Sequence, residues 1–151
     1  MKQMRIVGMI VALTACSTPA LTAPPPSGFD PRPILDAIRA VETGSRTDAN
    51  TAVGDGGRAL GAYQIHLSYW KDAVEHDPSL LANGETYGSV TNPQYAERVI
   101  LAYWSRYAVS WTHQELARIH NGGPSGRKRD STKPYWNKVN QRLNATKAPR
   151  R

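Results

Sequence analysis

The chain is poor in cysteine: Cys16 is the single one among 151 residues, so no disulfide bond can form within it. The apolar run near its start, Ile6 to Leu13, is far shorter than the ~20 residues that a membrane-spanning helix needs. Acidic residues are fewer than basic ones, 12 against 19, which gives a formal net charge of +7. A basic surface of this kind attracts polyanions, either nucleic acid or the anionic polymers of a cell wall.

The first residues have the order of a secretory signal, with Lys2 and Arg5 before the apolar run and small residues after it. The segment Leu13 to Cys16 resembles the bacterial lipobox. That resemblance implies a signal peptide at residues 1–15 and lipidation of Cys16, with Ser17 favouring the periplasmic face of the outer membrane. The alternative is ordinary cleavage further along the chain, which would discard Cys16.

Length and composition favour one folded domain, since 40% of the residues are hydrophobic and 21% are charged. We place this domain at residues 29–145, between a tether rich in Pro, Ser and Thr at 16–28 and a basic tail at 146–151. Export favours a wall polymer over nucleic acid as the anionic partner. We therefore expect a monomer in the cell envelope that binds no nucleic acid.

The first predicted helix starts after Asp30-Pro31, because Asp caps helices and Pro suits their first position. Apolar residues then recur at helical spacing, and Gly44 is a natural stop, which places Glu42 in the last turn. Beyond it, two glycine-rich segments, Val53 to Gly57 and Gly61 to Ile65, predict a small antiparallel ribbon.

Further helices are predicted after Ser68 and Asn92, which can cap them, and at Thr112 and Glu115, which form a capping-box pattern. A last helix is predicted to begin at Lys133-Pro134, and apolar positions at helical spacing support it. The helix after Asn92 has the broadest apolar face. Residues 76–90 and 125–132 are predicted loops, and the chain from Thr146 onward is predicted to be loose. The fold class is thus α+β and predominantly helical, with about five helices and one small ribbon.

Glu42 has two features that raise the pKa of a carboxyl group. The last turn of a helix is the negative end of its dipole, and the adjacent apolar stripe removes water. A proton held near neutral pH is what a general acid needs. An ion pair with Arg39 would oppose this role, and an ordinary solvated carboxylate is the alternative interpretation.

Three motifs occur in order along the chain: Glu42 to Gly44, Gly61 to Ile65, and Ile119 to Pro124. Together they resemble the lysozyme-like superfamily, with the closest similarity to invertebrate-type lysozymes and a looser one to bacterial lytic transglycosylases. The resemblance implies a lysozyme-like fold and cleavage of the β-1,4 bond between N-acetylmuramic acid and N-acetylglucosamine in peptidoglycan. The chain differs from the animal proteins in lacking their many cysteines.

Carried onto this sequence, the resemblance places Glu42 as the general acid and Asp55 as the second carboxylate, acting as nucleophile or transition-state stabiliser. Asp55-Gly56 also favours a tight turn without any catalysis, and Asp48 is the fallback for the second carboxylate. In a transglycosylase, Glu42 alone would suffice. A wall-binding lipoprotein without activity is a further alternative.

Substrate contacts are implied for Gly61, Tyr63, Gln64 and Asn121, with sugar hydroxyls or N-acetyl groups meeting Gln64 and a sugar face packing on Tyr63. The alternatives are a buried strand for Tyr63 and Gln64 and a helix stop at Asn121. The four histidines show no metal-ligand spacing, so we expect no metal and no cofactor. The expected partners are peptidoglycan glycan strands and, through the lipid anchor, a membrane.

Overall fold

The computed structural model describes residues 24–44 and 46–147, so Cys16, the predicted signal peptide and residues 148–151 lie outside the described residues. The described part contains five α-helices: α1 Arg32–Glu42, α2 Leu67–His76, α3 Pro93–Tyr107, α4 His113–Gly122 and α5 Lys133–Lys147. It also contains one three-stranded sheet, formed by β1 Val53–Gly54, β2 Ala59–Leu60 and β3 Ile65–His66. The predicted α+β, predominantly helical class is confirmed. No described helix has the length and apolar character to cross a membrane.

Helix α1 forms where its end signals predict it. The Asp30 carboxylate accepts a hydrogen bond from the Arg32 backbone N–H at 2.9 Å, and Gly44 follows the helix with φ +62°. Between these ends the apolar stripe is buried, with Ile34 and Ile38 fully inaccessible to solvent. Glu42 is therefore the last residue of α1.

The C-terminal end of α1 is tied to the segment between β2 and β3. Thr43, directly after the helix, is buried and its hydroxyl donates to the backbone oxygen of Ala62 at 3.1 Å. This hydrogen bond fixes the position of the neighbouring Glu42 relative to the sheet.

The sheet pairs differently from the sequence prediction. Residues 53–54 pair antiparallel with 59–60, which in turn pair with 65–66. The predicted direct pairing of Val53–Gly57 with Gly61–Ile65 is therefore wrong. The chain reverses within the short 3₁₀ segment Asp55–Gly57, so the next strand begins at Ala59 and lies between the two predicted partners.

Helix α2 also departs from its prediction. It begins at Leu67 rather than after Ser68, and its N-cap residue, His66, makes no side-chain capping hydrogen bond. The predicted loop at residues 76–90 contains two short 3₁₀ helices, Pro78–Leu81 and Tyr87–Thr91. Sequence patterns detect such single turns poorly because they have no extended apolar stripe.

The caps of α3 and α4 are partly as predicted. The Asn92 side chain accepts from the Tyr95 N–H at 3.0 Å, and the Thr112 hydroxyl accepts from the Glu115 N–H at 3.2 Å. The Glu115 carboxylate, however, accepts from the backbone N–H groups of residues 109–111. The expected capping box is thus replaced by a buried acceptor that orders the loop before α4.

Helix α5 continues to Lys147, so the predicted loose tail from Thr146 is wrong for its first two residues. Thr146 donates to the Leu143 carbonyl at 2.9 Å within the last turn. Helix α1 packs on α4 and α5, while α2 packs on α3. Apolar residues of all five helices meet in one core around Trp104, which is fully buried. The sheet lies against one side of this helical core, next to the end of α1.

Candidate functional site

The Glu42 side chain is mostly buried, with 20% of its surface exposed. Its Oε1 accepts a hydrogen bond from the Tyr135 hydroxyl at 2.7 Å. Tyr135 belongs to the first turn of α5, so the contact joins the end of the first helix to the start of the last. The contact between Tyr135 and Glu42 spans 93 positions in the sequence, and no motif predicted it.

Burial raises the pKa of the Glu42 carboxyl above its ordinary value. The hydrogen bond from Tyr135 and the charge of Lys138 oppose this effect and favour the carboxylate, but burial is the largest influence and the net shift is upward. The guanidinium of Arg39 instead donates to Asn50 Oδ1 at 3.2 Å. Glu42 therefore retains its proton to a higher pH than an exposed glutamate does.

His120 lies beside this carboxyl group. Its side chain is 4% exposed, and its Nε2 lies 3.9 Å from Glu42 Oε1 and 3.1 Å from the Tyr63 carbonyl oxygen. Burial lowers the pKa of His120 to about 4, so the ring is neutral at neutral pH. A neutral ring with its proton on Nε2 donates to the Tyr63 carbonyl. His120 lies within the third motif, but its sequence pattern predicted no role in the site.

Glu42 opens onto a cavity of about 260 Å³ next to the sheet. Seven residues line this cavity: Glu42, Asp55, Ala59, Gln64, His66, His120 and Asn121. We call it the Glu42 cavity. Four of these residues were predicted site residues: Glu42, Asp55, Gln64 and Asn121. The fold brings them together although they lie up to 79 positions apart in the chain.

Asp55 is exposed and sits at the reversal between β1 and β2 with φ +49°. Its Oδ1 accepts from Arg58 Nη2 at 2.9 Å, and its Oδ2 lies 3.5 Å from His66 Nε2. Asp55 is therefore both a turn residue and a wall of the Glu42 cavity. The fallback, Asp48, is paired with Arg46 at 2.7 Å and is not among the residues that line the cavity.

Gln64 reaches the cavity from the turn before β3 and has φ +50°. Its Nε2 donates to the Gly61 carbonyl at 2.9 Å, which fixes the amide group. Its Oε1 lies against Gly54 so closely that a Cβ atom at position 54 would be only 1.9 Å away. The side chain of Gln64 is thus held between two glycines with its polar end at the cavity wall.

Two of the residues predicted to contact substrate are buried. Tyr63 is 1% exposed, its ring packs in the core, and its hydroxyl donates to Glu97 Oε1 at 2.6 Å. Gly61 is also buried, and a Cβ there would lie 2.5 Å from the Val90 carbonyl oxygen. Gly61 thus allows a close backbone approach with φ +76°, a conformation that favours glycine.

Residues 24–44 and 46–147 contain no group of three or more His, Cys, Asp or Glu side chains that could hold a metal ion.

The family model that matches this chain is named Destabilase, and it covers residues 33–142. The chain belongs to the destabilase family. The matched region contains all five helices except the first residue of α1 and the last residues of α5, together with the whole sheet. The suspected kinship with invertebrate-type lysozymes is thereby confirmed.

Relatives of this destabilase-family chain include animal lysozymes. A lysozyme of Meretrix lusoria is 32% identical over 111 residues, covering 70% of this chain and 84% of that one. A lysozyme of Magallana gigas is 36% identical over 87 residues, covering 55% of this chain and 59% of that one. The chain thus spans less than two thirds of some of the relatives it matches.

Solved structures of lysozymes have a fold similar to that of this chain. The Meretrix lusoria lysozyme, in its complex with Aeromonas hydrophila PliI, superposes with a TM-score of 0.60 at 29% identity, over 73% of this chain and 88% of that one. The Tapes japonica lysozyme superposes with a TM-score of 0.60 at 24% identity over 72% and 86% of the two chains, which supports the fold alone. The predicted lysozyme-like fold is confirmed.

Proposed function

We propose that this destabilase-family protein is a muramidase that cleaves the β-1,4 bond between N-acetylmuramic acid and N-acetylglucosamine in peptidoglycan. The observation that carries the proposal is the state of Glu42: a mostly buried carboxyl group with a raised pKa, facing a cavity that Asp55 and Gln64 also line. A carboxyl group of this kind is suited to giving a proton to a leaving oxygen near neutral pH. Its kinship with animal lysozymes supports the same reaction.

In the proposed reaction, the Glu42 proton passes to the glycosidic oxygen while the bond from that oxygen to the sugar breaks. The departing sugar leaves as an alcohol, and positive charge develops on the remaining ring. Glu42 becomes a carboxylate, which the Tyr135 hydroxyl stabilises by donating to Oε1. The Asp55 carboxylate, which also lines the Glu42 cavity, stabilises the positive ring or attacks it. A water molecule then adds to the anomeric carbon, displaces Asp55 where it has bound, and gives a proton to the Glu42 carboxylate, which restores the acid.

The neutral state of His120 supports this proton transfer. A positive charge 3.9 Å from Glu42 Oε1 would favour the carboxylate and release the proton prematurely. Burial keeps the imidazole neutral at any pH well above about 4. His120 thus contributes a polar wall without an opposing charge.

A second candidate reaction is lytic transglycosylation, in which Glu42 makes both proton transfers and the muramic sugar closes on itself to form a 1,6-anhydro end. The position of Asp55 supports it, because this carboxylate is exposed and already paired with Arg58 at 2.9 Å. No second carboxylate is needed in that reaction.

The Glu42→Gln variant tests the proposal on purified sacculi. We expect turnover to fall about 10²- to 10⁴-fold, the usual contribution of a general acid. Glu75→Gln, which removes an exposed carboxylate on α2, is the matched control and keeps normal turnover. Equal activity of wild type and Glu42→Gln would contradict the proposal, and binding without product at any pH would indicate a wall-binding protein.

Product mass and the Asp55→Asn variant separate the two reactions. A hydrolytic product carries one water more than an anhydro product. Loss of activity in Asp55→Asn with hydrolytic products identifies Asp55 as the second carboxylate. Normal activity with anhydro products identifies a transglycosylase.

The proposal also includes export and a lipid anchor on Cys16, which would hold the enzyme at the periplasmic face of the outer membrane, beside its substrate. Its support is the Leu13 to Cys16 segment of the sequence. Metabolic labelling with a radioactive fatty acid tests it: label should appear on the wild type and not on Cys16→Ser.

A further inference from the structure

A second cavity, of about 380 Å³, lies between the last turns of α1 and the middle of α5. Its lining is Ala40, Val41, Lys138, Gln141, Arg142 and Ala145. We call it the α1–α5 groove. Its lining combines two alanines and a valine with an amide and two basic side chains, so it offers both apolar contact and positive charge.

The groove adjoins the proposed acid. Val41 immediately precedes Glu42 in α1, and Tyr135, which donates to Glu42, lies on α5 one turn before Lys138. Residues spaced three and four apart share one face of a helix, so Tyr135, Lys138 and Arg142 form one row. Because an α-helix rises about 1.5 Å per residue, the row from Tyr135 to Arg142 is about 10 Å long. The positive charge of Lys138 favours the carboxylate form of Glu42.

The two basic groups of the groove are available to a ligand. Lys138 and Arg142 are both exposed. Over residues 24–44 and 46–147, neither has a carboxylate within salt-bridge distance, whereas Arg32, Arg46, Arg58 and Arg106 all do. Neither of these two cations is therefore held in an ion pair within the described chain.

We propose that the α1–α5 groove binds the carboxylate-bearing peptide that the wall glycan carries on its muramic acid residues. This inference rests on the proposed function, because Glu42 would act at a bond next to such a residue. The row on α5 begins at Tyr135, which contacts Glu42, and its length of about 10 Å accommodates roughly three extended peptide residues. Arg142 offers the planar fork that suits a carboxylate, Lys138 adds a point charge, and Ala40, Val41 and Ala145 contact the aliphatic parts of the peptide.

The groove would make the enzyme prefer a glycan with acidic peptides over a neutral glycan of the same backbone. Binding to the acidic peptide should weaken as salt rises, because both cationic groups are exposed and therefore screened. Cleavage of a chitin oligosaccharide, which carries no peptide, should not depend on Arg142.

The test compares binding to intact sacculi with binding to sacculi whose carboxylates have been converted to amides. All proteins carry Glu42→Gln, so that binding is measured without cleavage, and the Glu42→Gln protein is called the parent. It is compared with two further variants, one with Arg142→Gln added and one with both Lys138→Gln and Arg142→Gln added. Lys71→Gln is the matched control, because it removes one exposed charge from α2, which lines neither cavity.

We expect the double substitution to weaken binding to intact sacculi about three- to tenfold, with Arg142→Gln giving part of this loss. Amidated sacculi should bind the parent more weakly and should not distinguish it from the substituted proteins. Equal losses on intact and amidated sacculi, a loss of the same size in Lys71→Gln, or no loss would each overturn the proposal.

Cleavage assays with otherwise unsubstituted enzyme then separate this inference from the function on which it rests. Arg142→Gln should raise KM for intact sacculi and leave kcat/KM for the chitin oligosaccharide unchanged. If the wild type cleaves neither substrate, the muramidase proposal fails, while the binding difference still decides whether the groove recognises the acidic peptide.

Discussion

At the scale of single residues, the proton on Glu42 depends on two opposing influences from its surroundings. Burial favours the neutral acid, whereas the Tyr135 hydroxyl and the Lys138 charge favour the carboxylate. A general acid must hold its proton before the reaction and release it during the reaction, so its pKa has to lie near the working pH. Tyr135 is a positioning residue in this account, because it acts on Glu42 and not on the sugar.

The Tyr135→Phe variant tests whether the Tyr135 hydroxyl lowers the pKa of Glu42. Removing the donor to the carboxylate should raise the pKa of Glu42 further, so the neutral acid persists to higher pH. The alkaline limb of the kcat/KM profile on soluble peptidoglycan should therefore move to higher pH.

Tyr107→Phe is the control, since the Tyr107 hydroxyl donates to Asp72 at 3.0 Å and contacts neither Glu42 nor its cavity. An alkaline limb that stays in place or moves toward acid in Tyr135→Phe would show that the tyrosine does not tune Glu42.

At the scale of secondary-structure elements, the small sheet shapes the Glu42 cavity through Gly54. Gly54 ends β1 beside the Gln64 side chain, and the absence of a side chain at position 54 makes room for the amide. The sheet therefore contributes to the site through its backbone spacing as well as through Ala59 and His66.

Gly54→Ala should displace Gln64, since the new Cβ would lie 1.9 Å from Oε1. We expect kcat/KM on sacculi to fall at least about tenfold, with a loss of about 1–3 kcal/mol in the free energy of unfolding from overpacking. Activity and urea-unfolding measurements check the two effects.

Gly88→Ala is the matched substitution for this test, because its nearest neighbour would be 3.7 Å away and its φ is ordinary. If Gly54→Ala has full activity, the position of the Gln64 amide does not matter to the reaction.

At the scale of the whole molecule, long-range polar contacts connect the elements around the site. The Tyr63 hydroxyl donates to Glu97 of α3, and Glu97 pairs with Arg32 of α1 at 2.7 Å. The Tyr63 carbonyl meanwhile accepts from His120 of α4. Tyr63 thus connects the segment before β3 directly to α3 and α4, and through Glu97 to α1.

Tyr63→Phe separates this structural role from substrate contact. We expect the free energy of unfolding to fall by about 1–2 kcal/mol, because a hydrogen bond to a charged group is lost. KM for sacculi should stay within about twofold of the wild type, since the hydroxyl faces Glu97. A raised KM with unchanged unfolding would instead place Tyr63 in contact with the glycan.

The features that sequence reasoning predicted are the locally determined ones. The end of α1 at Glu42, the Asn92 cap and the apolar face of α3 each follow from residues within a few turns. The strand pairing was missed because the reversal at Asp55–Gly57 places β2 between the expected partners. The roles of Tyr135 and His120 depend on contacts across more than 50 positions, which no local pattern contains.

The central claim is that Glu42 keeps its proton beyond the ordinary range of a glutamate. A pH titration of the ¹³C-labelled side-chain carboxyl groups by NMR measures this directly, with the Glu42 signal assigned by its absence in Glu42→Gln. The account predicts a midpoint for Glu42 above the ordinary value of 4.5. A midpoint at or below 4.5 would contradict it.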